Sequence, residues 1–356
     1  MSPIILDQDM EGGQKFRKKS LVNQLKIPHN FLDFFNNRLS SISMTPLSGG
    51  ANNQLVKVES AEQTFVIKKY RPITFGHDRF FHEETFYHWI QDQKITETPH
   101  AFAWNKESRL GLFSYIEGTF PSETISDKQI EQVSDFVLRL NMDRDKAQKL
   151  NIPVATDTAR SIAGHLENVS NRLSALAERV DQSSKLKEIQ SFLKKEMLPR
   201  WESIYQDSQH SDLIDYEISK FDRVLSPSDI GFHNTLESES DKLTFYDFEY
   251  AGWDDPCKMC CDFSLQPRYT ISSNQSALFE NKVGSLLSSQ NREKFFLRLK
   301  LLKPIHCIKW CCIFFNELAH KGFKEKKTHP TGESLVLDDI DQQIEKAQKY
   351  LSLNFK

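Results

Sequence analysis

The sequence predicts an α+β protein with a small antiparallel β-rich N-terminal lobe and a larger, mainly helical C-terminal lobe. Between residues 42 and 116, short segments rich in β-branched and aromatic residues alternate with glycine-containing or polar turns. From residue 125 onward, apolar residues recur at helical spacing instead. A chain of 356 residues, 38% hydrophobic and with 26 Phe, has the material to bury a core in each part.

Residues 1–40 read as a helical extension, with "HNFLDFFNNRL" giving an apolar stripe at helical spacing. The N-lobe, 41–116, opens with "ISMTPLSGGANNQLVKVES", a strand, a glycine-containing turn and a second strand. "QTFVIKKY" is the third strand. "HDRFFHEETFYHWIQDQ" is a helix whose apolar contacts are assigned to Phe81, Phe86, Tyr87, Trp89 and Ile90. "AFAWNK" and "RLGLFSYI" are two further strands around a polar turn. The expected product is a five-stranded antiparallel sheet with one inserted helix. The C-lobe, 117–356, begins after "EGTFPS" with the helix "SDKQIEQVSDFVLRLNMD", for which Ser126 or Asp127 is the N-cap. Two long amphipathic helices follow over 158–207, and the chain is helical again over 274–354.

Charge narrows the function classes. Lys plus Arg number 46 against 49 Asp plus Glu, a net charge of −3, so no bulk basic charge points to nucleic acid. The N-terminus lacks the basic-then-apolar order of a signal peptide, and no apolar run approaches membrane-spanning length, so a cytoplasmic protein with no membrane partner is expected. All 6 cysteines lie between 257 and 312. With His306 they invite a zinc reading. Cys307 and Cys311, four apart in "PIHCIKWCCIFF", fit a buried helix better, with cysteine as a small hydrophobe.

Chemistry concentrates in "LSPSDIGFHNTLESESDKLTFYDFEYAGWDDP", residues 225–256. Carboxylates packed this densely repel one another unless a cation or a proton answers them. Asp229 and Asn234 share a turn, and Asp247 ends the strand "LTFYD". One Asp to orient a hydroxyl, with an Asn and a second Asp giving oxygens to Mg²⁺, is a constellation suited to phosphoryl transfer. Upstream, Gly49 and Gly50 in "LSGGANN" let backbone amides approach an anion. Lys68 in "FVIK" would neutralise phosphate oxygens, and Glu83 or Glu84 on the helix would hold it by an ion pair. Each feature alone is commonplace; the ordered set is not.

"PLSGGANNQLVKV", "FVIK", "DIGFHN" and "YDFEYAGWDDP" together resemble the nucleotide loop, lysine strand, catalytic loop and metal Asp of the aminoglycoside phosphotransferase and choline kinase-like family, over residues 42–265. The resemblance implies a two-lobed protein-kinase-like fold and an ATP-dependent phosphotransferase, using ATP (or GTP) and Mg²⁺ on a hydroxyl of a small molecule such as a sugar, amino sugar or amino alcohol. Carried onto this chain, it makes Asp229 the catalytic base or hydroxyl-orienting group. Lys68 becomes the ligand of the α- and β-phosphates, and Glu83, preferred over Glu84, its partner. Asn234 and Asp247 hold the metal. Ser48, Gly49, Gly50 and Asn53 line the phosphate loop. In "FSYIEG" the backbone of Ser114 and Ile116 meets the purine edge. The acceptor falls near Asp229, Glu249 and the helices of residues 125–220; Glu249, Asp254 and Asp255 permit it to be cationic, and "DDP" reads equally as structural.

The chain departs from the family in three places. Pro227-Ser228 replaces the His-Gly that precedes the catalytic Asp, so support for that loop must come from elsewhere. A helix that often ends in Leu-His ends here in "LRLNMD". Cys257, Lys258 and Met259 follow "DDP", leaving Asp262 either to take over a structural role or to cap. Two other readings rank lower. A protein Ser/Thr kinase would show an activation segment between Asp247 and Pro256. A catalytically degenerate nucleotide-binding scaffold would not need Lys68, Asp229, Asn234 and Asp247.

Overall fold

A computed structural model of the protein describes residues 25, 27–35, 42–47, 53–74, 76–181, 186–321 and 338–354. Most of the expected N-terminal extension lies outside these residues. Its described part is one helical turn, His29–Leu32, running into a 3-10 turn, Asp33–Phe35. The chain divides into two compact units. One takes residues up to 122 with 135–156 and 225–253; the other takes 123–134, 157–224 and 254 onward. Sequence order places a boundary near 116, but the sheet-bearing unit also draws on two later segments, and the second of these carries Asp229, Asn234 and Asp247.

The first unit is built on strands β1 (Ser43–Leu47), β2 (Gln54–Glu59), β3 (Thr64–Lys69), β4 (Ala101–Asn105) and β5 (Leu110–Ser114). They form one antiparallel sheet in the order β1-β2-β3-β5-β4. The two-residue side-chain period sorts β3. Phe65 and Ile67 point into a core with Val56, Val58, Leu110, Leu112, Phe31 and Phe35, whereas Lys68 points the other way. Helix α1 (Arg79–Asp92) starts at Asp78, which accepts from Phe81 N–H. Its buried stripe is Phe80, Glu83, Phe86, Tyr87, Trp89 and Ile90. Phe80 thus replaces the expected Phe81, which is half-buried, because Phe80, Glu83, Tyr87 and Ile90 repeat at three- and four-residue steps on one face.

Four short strands follow: β6 (Val224–Ser226) pairs with β9 (Gly252–Asp254), and β7 (Thr235–Glu237) pairs antiparallel with β8 (Leu243–Phe245), Thr235 opposite Phe245. Residues just outside those ends are therefore neighbours, and Tyr246 N–H donates to Asn234 C=O at 3.1 Å. The "LRLNMD" departure has a structural use. Buried Asn141 accepts from Leu225 N–H at 2.7 Å and donates to Leu225 C=O at 2.9 Å, clamping the chain that leads into the Asp229 turn. Leu225 lies in β6, whose one strand neighbour is β9, so Asn141 meets backbone groups that a third strand would otherwise take.

The second unit is helical: α3 (Ile162–Asp181), α4 (Lys187–Phe192), α5 (Leu198–Gln209), α6 (Pro256–Ser264), α7 (Ser273–Gly284), α8 (Ser289–Lys321) and α9 (Asp338–Asn354). Helix α2 (Asp127–Leu140) begins in this unit. Ser126 caps it: Ser126 Oγ accepts from Gln129 N–H while Gln129 Oε1 accepts from Ser126 N–H. All 6 cysteines are buried free thiols, and no cluster of three His, Cys, Asp or Glu among the described residues is arranged to hold a metal. Among the described residues no helix is long and apolar enough to cross a membrane.

The "DDP" carboxylates prove structural. Asp254 and Asp255 are 0% exposed, which removes them as contacts for a cationic acceptor. Asp255 caps α6 through Cys257 N–H and accepts from Arg298 Nη2 at 2.5 Å. Asp254 and Asp262 both accept from Lys258 Nζ, at 2.9 and 2.7 Å, and Asp262 also accepts from Lys309 Nζ at 3.0 Å. Asp262 therefore takes the structural role and not the capping one. His306 lies among them, 3.4 Å from His165 and 3.8 Å from Asp262.

Burial, reinforced by Lys309, His165 and Lys258, pushes the His306 imidazole well below its usual 6.5. The folded protein keeps this ring neutral while the unfolded chain protonates it. Stability is therefore full above about pH 6.5 and falls below it, by up to about 1.4 kcal/mol per pH unit per proton. His77, lowered to about 4 mainly by burial, and His82, lowered by burial, act with the same sign. The melting temperature is expected to drop between pH 6.5 and 5, before carboxylates such as Asp255 titrate, and His306→Gln should flatten that slope by one proton. Melting curves across that range check it.

Candidate active site

Lys68, Glu83 and Asp247, three of the residues singled out for chemistry, meet within the sheet-bearing unit. Lys68, 6% exposed on β3, donates to Glu83 Oε2 at 2.6 Å and to Asp247 Oδ1 at 2.5 Å. Glu83 reaches it because α1's buried stripe runs through position 83; Glu84 lies on the flank, half-buried. The second oxygen of Glu83 accepts from Phe248 N–H at 3.2 Å. One carboxylate thus ties the lysine strand to the segment just after Asp247, a bond the sequence does not announce. Phe248 anchors that segment against Phe86, Tyr87 and Phe136. Asp247 itself takes a left-handed backbone, φ 68°, which Asp tolerates better than most residues.

Electrostatics at Lys68 is a contest. Burial would lower its pKa, but the carboxylates of Asp247, Glu83 and Glu249 outweigh burial and raise it, so Lys68 stays charged. Glu83 is raised to about 7, first by its own burial and further by Asp247 and Glu249, against the pull of Lys68. Three acids thus lie around Lys68, one of them also paired with Arg79, which leaves one acid in excess and suits a site for additional positive charge. Glu249, 1% exposed, is held by Asn53 Nδ2 and by Arg79 Nε at 3.4 Å. It is enclosed, where the sequence places it beside an acceptor.

The turn 229–234 is equally specific. Asn234 Nδ2 donates to the Asp229 backbone carbonyl at 3.0 Å and to Asp229 Oδ2 at 3.2 Å. Its amide nitrogen is thereby committed to Asp229. The β7–β8 pairing brings Asn234 beside Tyr246, one residue before Asp247. Ser114 ends β5, three residues from Gly111, which lies opposite Lys68, and Ile116 follows half-buried. Asn53 is described, bonded to Glu249; Ser48, Gly49 and Gly50 lie outside the described residues. Sequence reasoning assigned no role to Asn141 or to His233, whose Nε2 lies 3.0 Å from Asp229 Oδ1. The i,i+4 spacing of 229 and 233 was the available signal.

Lys68→Ala is expected to cost more than nucleotide contacts. The lysine is buried between two carboxylates. Removing it leaves them facing each other, at a cost of about 3 kcal/mol or more. Denaturant titration of the two proteins measures this.

No protein-family model matches the sequence, and no curated protein is similar to it by sequence. Solved structures do resemble it. Plasmodium vivax ethanolamine kinase is 14% identical with a TM-score of 0.54, over 98% of this chain and 96% of that one. Choline kinase from Cryptosporidium parvum Iowa II is 13% identical with a TM-score of 0.54, over 94% and 96%. A spectinomycin phosphotransferase in complex with ADP and spectinomycin is 11% identical with a TM-score of 0.60, over 93% and 98%. The chain thus has the protein-kinase-like fold that choline and ethanolamine kinases share with aminoglycoside phosphotransferases, carried by a sequence far diverged from theirs.

Proposed function

We propose that the protein is a small-molecule kinase, moving the γ-phosphoryl group of ATP (or GTP) onto a hydroxyl of a sugar, amino sugar or amino alcohol. The observation that carries this reading is the convergence of Lys68, Glu83 and Asp247 in one bonded group, with the Asp229–Asn234 turn entering beside it. The compounds for which the similar solved structures are named, ethanolamine, choline and spectinomycin, support a small acceptor over a protein.

Lys68 has three N–H donors, of which Glu83 and Asp247 take two, leaving one for a phosphate oxygen. Glu83 keeps that ammonium in place. Asp229 accepts the proton of the acceptor hydroxyl as its oxygen bonds to the γ-phosphorus and the bond to the departing nucleoside diphosphate breaks. The backbone at Ser114 and Ile116 would meet the purine edge, and Asn53 with the Ser48–Gly50 turn would line the phosphates. For Mg²⁺, Asp247 and Asn234 Oδ1 are hard oxygen donors, and the acidic surplus around Lys68 favours a cation, so these residues fit the ion. When bound, Mg²⁺ offsets the negative charge of the phosphates.

The test is a thermal shift followed by turnover. ATP with Mg²⁺ is expected to raise the melting temperature by a few degrees, since a ligand selective for the native state stabilises it. ATP consumption is then followed with choline, ethanolamine or spectinomycin as acceptor, and with water alone. No shift and no turnover with any of them would remove the kinase reading.

A further inference from the structure

The Asp229 turn holds one polar side chain that the chemistry above leaves unused. His233 lies four residues after Asp229, in the 3-10 turn Phe232–Asn234, and is 9% exposed. Its Nε2 is 3.0 Å from Asp229 Oδ1. An ionised carboxylate only accepts, so Nε2 carries the proton and donates. Asn234 Nδ2 donates to the other oxygen, Oδ2, at 3.2 Å. Each oxygen of the Asp229 carboxylate is therefore held by a donor from its own turn.

Packing alone does not explain an imidazole here. His233 Nδ1 is buried and meets no hydrogen-bond partner among the described residues. An orphaned buried nitrogen costs free energy that a purely apolar side chain would avoid. What the imidazole gains for that cost is its contact with Asp229. The approach to Asp229 is held by other means. Ser228 sits in a left-handed conformation, φ 65°, and its N–H donates to Ser226 Oγ at 2.9 Å. Those contacts fix the backbone, while His233 and Asn234 fix the carboxylate.

We propose that His233 is a positioning residue: its Nε2–H holds Asp229 Oδ1 so that the carboxylate meets the acceptor hydroxyl in line for phosphoryl transfer. The role rests on the kinase reading, and it supplies the loop support that Pro227-Ser228 does not. The imidazole keeps its proton throughout; the hydroxyl proton goes to Asp229. Misplacing a reacting group by about an ångström costs on the order of 10²-fold in rate. Because His233 acts through Asp229, its loss should appear in kcat and not in the KM for nucleotide.

Wild type, His233→Phe and His233→Gln are compared with MgATP and choline, ethanolamine, spectinomycin or water as acceptor. His233→Phe, which keeps a ring but no donor, is expected to lower kcat by roughly 10- to 100-fold with KM for MgATP within about twofold. His233→Gln, which restores an N–H of similar reach, should recover most of kcat, to within about threefold of wild type. Full kcat in folded His233→Phe, or His233→Gln no better than His233→Phe, overturns the role. A wild type that turns over no ATP removes the kinase reading and this role with it, so the two failures are distinct. Should His233→Phe not fold, ¹⁵N-histidine spectra decide: the His233 Nε2 resonance is expected to move on Asp229→Ala, and an unmoved resonance overturns the contact.

Discussion

Asp247→Ala is expected to abolish magnesium-dependent ATP turnover while leaving a folded protein. Asp247 is the most exposed of the acids facing Lys68, with its side chain 38% exposed against 2% for Glu83 and 1% for Glu249. Its removal leaves Lys68 paired with Glu83, so no buried charge is stranded. The left-handed backbone at 247 adds a modest strain for Ala, about 1 kcal/mol. Asp247→Asn separates that strain from the chemistry: it tolerates the same backbone, keeps one oxygen and loses the charge. Both variants should show near-native melting and no turnover at any Mg²⁺ concentration. Wild-type turnover in purified Asp247→Ala would refute the metal assignment.

The second large effect is at Asp229. Asp229→Ala should lower kcat by about 10²-fold or more, the range for losing a positioned general base. Nucleotide binding should persist, because Lys68, Glu83 and Asp247 bond to one another without Asp229. The thermal shift produced by MgATP is thus expected to match that of wild type. A lost shift together with lost turnover would mean that Asp229 serves nucleotide binding or folding, and not the acceptor hydroxyl. The partial exposure of its side chain, 22%, fits a group that must meet a second substrate.

Local pattern carried the sheet and the main helices because both periods are written into neighbouring residues. Alternation over 54–69 and the stripe through α1 need no distant partner to be read. The one-residue shift from Phe81 to Phe80 shows the limit: adjacent phenylalanines satisfy composition equally, and only the packed face separates them. The acidic run 247–255 stayed open between an acceptor role and a structural one for a related reason. Its members look alike in sequence, yet Asp247 is partly open, Glu249 is enclosed with Asn53 and Arg79, and Asp254 and Asp255 are wholly buried with Lys258 and Arg298.

The sequence by itself determined the order of elements and the residue types required for phosphoryl transfer, because propensity, periodicity and motif spacing are local properties of the chain. Tertiary structure alone decided which carboxylates are free to act and which are balanced by buried cations. It also decided that Glu83 bridges Lys68 and Phe248, that Asn141 clamps Leu225, and that His233 faces Asp229. Burial and charge pairing depend on groups up to 196 residues apart, and the energy of a buried charge is set by what surrounds it in space, not by its neighbours in the chain.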